Sequence, residues 1–422
     1  MSRSMIPVAV LSLAIVACSD APSPAAPSHL PDAKVARVEE ESGARGLFKR
    51  YVAIGTSVSM GWAADGGFAS AQLQSWPAQL SRAAGWEMSQ PLLAGTGCRP
   101  PLQAPLASGI RINGQPAGVS AADVACGGLV SGAVALNQNV AVSSARASHA
   151  LTWTPEVAQT AADAFYKRLY PLLLPAGHTQ VSAMEAQDPR VVSVELGGND
   201  VLDARSGIPY APVVTPLADF TAAYTAILDR VQAPGRKVVL VGLVDDVRDF
   251  PAFRTGAEIW SNKALFLQAF HVDVQADCEN SPNMLFVPVR VPTAVGTGVA
   301  RRNASLTPAT LSCAAGAPGQ VDFVLDPTEV GIVNMTLAGM NQVVRQQAAN
   351  RGFAHFELQA LYGMGLKGPF NVVQFMTTGT PYGQYVSLDG IHPSAAGQSV
   401  LAAAAANALN QRYGMALAAP GY

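Results

Sequence analysis

Three short apolar runs that each stop at glycine, with capped helical stretches between them, constrain this chain more than any other feature. Arg50–Ile54 is followed by Gly55, Val191–Leu196 by Gly197 and Gly198, and Lys237–Val241 by Gly242; Met284–Val289 is a further strand candidate. Runs this short and this continuously apolar belong to strands buried on both faces. The helical stretches have readable ends. Thr154 and Pro155 supply an N-cap and a first-turn proline for a helix expected to run to about Leu174. Asp219–Val231 is followed by Pro234 and Gly235. Asp326, Pro327 and Glu329 open a capping box for a helix that should stop at Gly352, and the alanine-rich stretch Ser394–Arg412 ends at Gly414. Such alternation predicts an α/β fold, a parallel sheet covered by helices on both faces. Ligands in these folds bind beyond the carboxyl ends of the strands, so the segments directly after the strands are where chemistry should lie.

Composition excludes several classes. Of the 422 residues, 49% are hydrophobic and 13% charged, which removes intrinsic disorder as a description of the whole chain. With 27 Lys and Arg against 29 Asp and Glu, nothing builds a basic stripe for nucleic acid. The one long uncharged apolar run, Met5–Ala17, falls short of the roughly 20 residues that a membrane span needs. Preceded by Arg3 and ending in Ile15-Val16-Ala17-Cys18, it has the charged start, apolar core and small residue of a secretory signal. The tetrapeptide resembles a bacterial lipobox, which implies a signal peptide at residues 1–17, lipidation of Cys18 and a membrane as partner through that lipid. The expected location is the bacterial cell envelope, with the outer membrane as first choice; an ordinary signal with an incidental Cys18 is the alternative. Residues 18–46 are Pro/Ala/Ser-rich and then charged, as suits a disordered tether, and residues 47–417 are expected to form the folded domain.

Export changes the meaning of the cysteines. Setting Cys18 aside leaves four, an even number in an oxidising compartment, and four allow three pairings. Cys98–Cys126 and Cys278–Cys313 are favoured because each pair brackets one Gly/Pro/Ala-rich stretch without clear periodicity; free thiols are the alternative. No C-x-x-C or H-E-x-x-H spacing occurs, so no metal and no cofactor are expected.

Three segments after strands carry the chemistry. In Gly55-Thr56-Ser57-Val58-Ser59 a serine on a sharp strand-to-helix turn would project its hydroxyl into the crevice. In Gly197-Gly198-Asn199-Asp200 the Asn199 amide could donate to a developing oxyanion. In Asp389-Gly390-Ile391-His392-Pro393 an Asp and a His three residues apart can meet on a tight turn, the carboxylate fixing the imidazole tautomer. Each has a bland reading as a cap or a turn; the three together do not.

These segments resemble the SGNH hydrolases, also called GDSL esterases and lipases, whose blocks read Gly-Asp-Ser-x-Ser, Gly-x-Asn-Asp and Asp-x-x-His in that order. The resemblance implies a three-layer α/β/α flavodoxin-like sandwich with a parallel sheet, here enlarged by long loop insertions. It implies Ser57 as nucleophile, His392 as general base and acid, Asp389 as its orienter, and Asn199 as an oxyanion donor. Thr56 stands where the family has Asp, outside the catalytic set. The family's backbone oxyanion donor lies in a segment like Asn-x-Gly-x-Ser-Gly-Ala; Asn139–Ala145 is the best counterpart, which places Ser144 at the glycine, with Gly95 or Gly97 as the alternative.

The reaction so implied is hydrolysis of a carboxylic ester through an acyl-enzyme, on a lipid or short-chain acyl ester, with a carbohydrate O-acetylester as runner-up. An α/β-hydrolase would need a Gly-x-Ser-x-Gly elbow, which is absent, and a serine β-lactamase a Ser-x-x-Lys, also absent. A catalytically silent surface-binding lipoprotein on the same scaffold is the remaining alternative. The surplus over small family members falls between Cys98 and Val140, Phe250 and Leu325, and Leu361 and Val386; these stretches read as long loops that shape or cover a site. Gly242–Arg248, after a strand, should border the cleft.

Overall fold

The computed structural model describes residues 43–118 and 125–420. The signal segment 1–17, Cys18 and the expected tether as far as residue 42 lie outside the described residues. Ala44–Phe48 is helical, although its first three residues fall within the span expected to be a tether. The reason is Phe48, which is fully buried against Tyr51 and draws the turn before it onto the domain.

Nine strands occur among the described residues: β1 Tyr51–Ile54, β2 Val191–Glu195, β3 Lys237–Gly242, β4 Phe253–Thr255, β5 Val272–Val274, β6 Met284–Phe286, β7 Ala309–Leu311, β8 Val324–Leu325 and β9 Ala354–Glu357. The order β1-β2-β3-β9 makes one parallel sheet. Its free edge at β1 is extended by another segment. The Ala53 N–H donates to the Gln138 carbonyl, the Val140 N–H to that of Ala53, and the Val142 N–H to that of Gly55. Counted by chain position, the five segments then lie in the order second, first, third, fourth, fifth. This is the doubly wound arrangement, with its switch point between β1 and β2.

All residues of β1 and β2 are buried, as strands covered on both faces must be. The one polar pair inside them is satisfied internally, Tyr51 Oη lying 2.8 Å from Ser193 Oγ. The covering helices form two groups. Trp76–Ala83 packs with Ala395–Tyr413, and Gln180–Glu185, Leu217–Val231 and Pro327–Arg351 pack with one another and with the sheet. Trp76, Tyr224, Phe220 and Leu401 are fully buried in this packing, each contributing about 1.5–3 kcal/mol by leaving water. The capping box opening Pro327–Arg351 is present, with Asp326 Oδ1 accepting from the Glu329 N–H at 2.8 Å and Gly352 closing the helix in the left-handed region.

Four expectations need correction. The helix from Thr154 breaks into Pro155–Ala158 and Ala164–Leu173, because Asp163 caps the second piece by accepting from the Phe165 N–H. Met284–Phe286 is a strand but pairs antiparallel in a separate sheet, β4-β6-β8, and Val287-Pro288 then opens the helix Val287–Asn303. The last strand of the main sheet is β9, a short run for which the sequence pattern predicts no strand. The stretch from Phe250 to Leu325 is not a long loop: it holds β4 to β8 and three helices, and Cys278–Cys313 crosses it. Cys98 and Cys126 are likewise bonded. No helix among the described residues is long and apolar enough to cross a membrane.

Candidate active site

The site grows out of the switch point. β1 is followed by Gly55, where a Cβ would come within 2.5 Å of the Ser59 side chain and 3.1 Å of Glu195 Oε2, so only glycine lets the chain turn there. The turn leads into the single helical turn Ser57–Met60, with Ser57 at its first position and its N–H unengaged by any described residue. Glu195, the last residue of β2, holds this turn in place. Its Oε2 accepts from the N–H groups of Thr56 (3.0 Å) and Ser59 (3.2 Å), and its Oε1 from Thr56 Oγ1 (2.8 Å). Burial pushes the Glu195 carboxyl up from its ordinary value, and these donors offset part of that rise.

The loop before the last helix brings the other partners. His392 Nε2 lies 2.9 Å from Ser57 Oγ, and His392 Nδ1 lies 2.8 Å from Asp389 Oδ2. Asp389 is saturated. Its Oδ1 accepts from the Ile391 and His392 N–H groups and from Ser387 Oγ, and its Oδ2 also accepts from the Asp65 N–H at 2.6 Å. Burial alone would raise the Asp389 carboxyl; the neighbouring His392 charge and the hydrogen bonds from His392 and Ile391 outweigh it and hold the group well below the usual carboxylate range. Asp65 is fixed in turn by Arg99 at 3.1 Å and the buried Arg111 at 2.8 Å, both in the region closed by Cys98–Cys126. Tyr362 Oη donates to the Ile391 carbonyl and closes the loop from the other side.

The third wall follows β2. Asn199 Nδ2 donates to the Ala145 carbonyl at 3.0 Å, which leaves its second hydrogen available, and Asp200 Oδ2 accepts from the Ala147 N–H at 2.9 Å. Just before these anchors Ser144 sits in the left-handed region at φ 63°, and its carbonyl accepts from Tyr166 Oη at 3.1 Å. That backbone conformation is the one a glycine adopts freely, so Ser144 occupies it because both flanks are tied. No described residue engages its N–H. The alternatives fit less well: the Gly97 N–H is spent on the Ala94 carbonyl, and Gly95 is exposed.

A cleft opens on Ser57, Asn199 and His392. Its wall is almost entirely apolar, built from Leu202, Leu243, Val244, Val247, Phe250, Phe253, Val333, Leu337 and Tyr362. The segment after β3 therefore borders it, through Leu243, Val244 and Val247. Asp277, Cys278 and Cys313 also come together, but two of the three are disulfide sulfurs and cannot act as thiolate ligands.

Ser57, His392, Asp389 and Asn199, expected from three separate blocks, are thus brought to one place, with Ser144 on the neighbouring loop. Glu195, Asp65 and Tyr166 were not anticipated. Only Glu195 left a trace in the sequence, as a charge inside an otherwise apolar strand run.

An α/β sandwich with a hydroxyl, an imidazole and a carboxylate in hydrogen-bonded series at its switch point is the build of a hydrolytic enzyme. The model of the GDSL-like Lipase/Acylhydrolase family matches residues 51–405, and the chain belongs to that family of ester hydrolases. A search of curated proteins returned no match.

Proposed function

We propose that the chain hydrolyses carboxylic esters with an apolar acyl group, through an acyl-enzyme on Ser57. The observation that carries this reading is the apolar cleft that Ser57 and His392 help to line. A sugar would need polar partners along such a wall, whereas an acyl chain needs none.

His392 Nε2 takes the proton of Ser57 Oγ as that oxygen attacks the ester carbonyl, and Asp389 stabilises the imidazolium through Nδ1–H. Negative charge gathers on the former carbonyl oxygen, where the free hydrogen of Asn199 Nδ2 and the N–H groups of Ser57 and Ser144 can donate. Collapse expels the alcohol, which receives the proton from His392. Water then repeats the sequence, with His392 as base, and releases the carboxylic acid. Cys18 carries the lipid that holds the domain at the cell envelope, on the reading of Ile15–Cys18 as a lipobox.

Rates on acyl esters of increasing chain length, measured beside acetylated sugars, test the substrate assignment. Simple acyl esters should be preferred. A strong preference for an acetylated sugar over every simple ester would make the chain a carbohydrate O-acetylesterase instead.

A further inference from the structure

One hydroxyl grips the strained residue of the oxyanion loop. Ser144 has φ 63°. For a residue with a Cβ, that φ is allowed only with ψ near about +30° to +60°. A return to negative φ would carry ψ to about −20° to −70°, or above about +100°, since the range between is scarcely allowed. Either change swings the Ser144 carbonyl to a new direction. Ties on both flanks limit that swing without engaging Ser144 itself: the Val142 N–H donates to the Gly55 carbonyl, the Ala145 carbonyl accepts from Asn199 Nδ2, and the Ala147 N–H donates to Asp200 Oδ2. Tyr166 does engage it, its Oη donating to the Ser144 carbonyl at 3.1 Å.

The surroundings of Tyr166 keep that grip firm. It lies in the first turn of Ala164–Leu173, whose start is fixed by Asp163 accepting from the Phe165 N–H at 2.8 Å. Its ring meets Trp153 edge-on at 5.0 Å and His149 edge-on at 6.0 Å, so it packs against the helix Ala147–Thr152 that follows the oxyanion loop. Burial pushes its hydroxyl up to about 12, which leaves the proton in place across the neutral range. A phenol has one hydrogen to give, and the Ser144 carbonyl receives it.

We infer that Tyr166 is a positioning residue for the ester hydrolysis: its hydroxyl keeps Ser144 in the left-handed conformation and so keeps the Ser144 N–H aimed at the developing oxyanion. Tyr166 touches no reacting atom and acts through the backbone of Ser144. Its catalytic role rests on the reading of the Ser144 N–H as an oxyanion donor beside Asn199 Nδ2. No described residue engages that N–H, so the backbone alone sets its direction. The aromatic packing of two helices thus reaches the reaction through a single hydrogen bond.

Steady-state kinetics of the full chain on a simple acyl ester test this, with Tyr166→Phe made on the wild-type, Ser144→Ala and Ser144→Gly backgrounds. Phenylalanine keeps the ring packing and removes one neutral hydrogen bond, worth about two- to tenfold in an equilibrium. On the wild-type and Ser144→Ala backgrounds kcat should fall about three- to tenfold with KM within about twofold, because the donor acts on the developing charge. On the Ser144→Gly background the same change should move kcat less than about twofold, since glycine holds a positive φ without help. A role confined to packing would give the same loss on all three backgrounds, and that result would overturn the inference. So would an unchanged kcat in Tyr166→Phe, or a loss that appears in KM alone. Hydrogen exchange of residues 142–147 without substrate keeps this hold apart from the esterase reading. Tyr166→Phe should speed exchange several-fold where Ser144 is retained, and unchanged exchange would refute the hold. Faster exchange in a chain that hydrolyses no ester would refute the reading of the site, and with it the catalytic role of Tyr166.

Discussion

Replacing Glu195 separates a structural carboxylate from the chemistry that it supports. Glu195→Ala strands three donors at once: the Thr56 and Ser59 N–H groups and the Thr56 hydroxyl, all buried. At about 1–3 kcal/mol for each orphaned backbone donor, and less for a hydroxyl that can rotate, the loss is about 3–6 kcal/mol before any cavity is counted. Glu195→Gln keeps one oxygen for the two N–H groups and turns its amide to the Thr56 hydroxyl, which can accept, so it should cost about 1 kcal/mol at neutral pH. Urea unfolding measures both, and labelling of Ser57 by a sulfonyl fluoride reports whether the turn still presents the hydroxyl. The pH dependence has a definite sign. Burial raises the Glu195 carboxyl, so the native state holds its proton more tightly than the unfolded chain does. The stability contribution is then greatest at low pH and is lost as pH rises through the native value. Glutamine does not titrate, so the advantage of wild type over Glu195→Gln should be larger at pH 5 than at pH 8. An alanine variant no less stable than the glutamine variant, or a pH trend of the opposite sign, would refute the reasoning.

Truncating Ser57 or His392 should each lower kcat by about 10⁴–10⁶, and the double variant little more, because they act as a unit; Asp389→Ala should cost less. Full esterase activity in Ser57→Ala, or fluorophosphonate labelling at another serine, would show that the nucleophile lies elsewhere. Asn199→Ala should lower kcat by about 10²–10³ with a smaller change in KM, since its donor acts on the developing charge, and an unchanged kcat would reduce Gly197–Asp200 to a turn. Asp389 is held low, so its contribution to stability is present above its unfolded value of about 4 and is lost only as pH falls towards its native value; acid unfolding of Asp389→Asn should show a shallower pH slope below pH 4. Cys18→Ala should move the protein from the membrane fraction to the soluble one, and a variant that stays bound would exclude the lipid anchor.

The parts of this molecule that were legible in its sequence are those decided by local chemistry. Gly55, Gly197 and Gly390 mark turns at strand or loop ends, and the side chains beside them are the ones that meet. Asp326 and Gly352 bound a helix through capping chemistry that needs no distant partner. β9 escaped because Ala354–Glu357 alternates buried and half-buried residues over only four positions, too few for a pattern to stand out. The insertion between Phe250 and Leu325 escaped for a related reason: its strands of two or three residues exist only by pairing with residues 29 to 41 positions away. Asp65 contributes a backbone N–H to Asp389, and a backbone group has no signature in composition. Tyr166 reaches Ser144 across a helix break that no propensity rule foretold.

The hydrogen bond between Ser57 and His392 spans 335 positions of chain. On the roles proposed for them, the nucleophile is made early in synthesis and its base only after every strand of the main sheet. A nascent or truncated chain ending before residue 392 would then carry the serine without the group that activates it. The order of the elements withholds activity until the loop ahead of Ala395–Tyr413 has been made, and removal of that loop would return the enzyme to the silent condition.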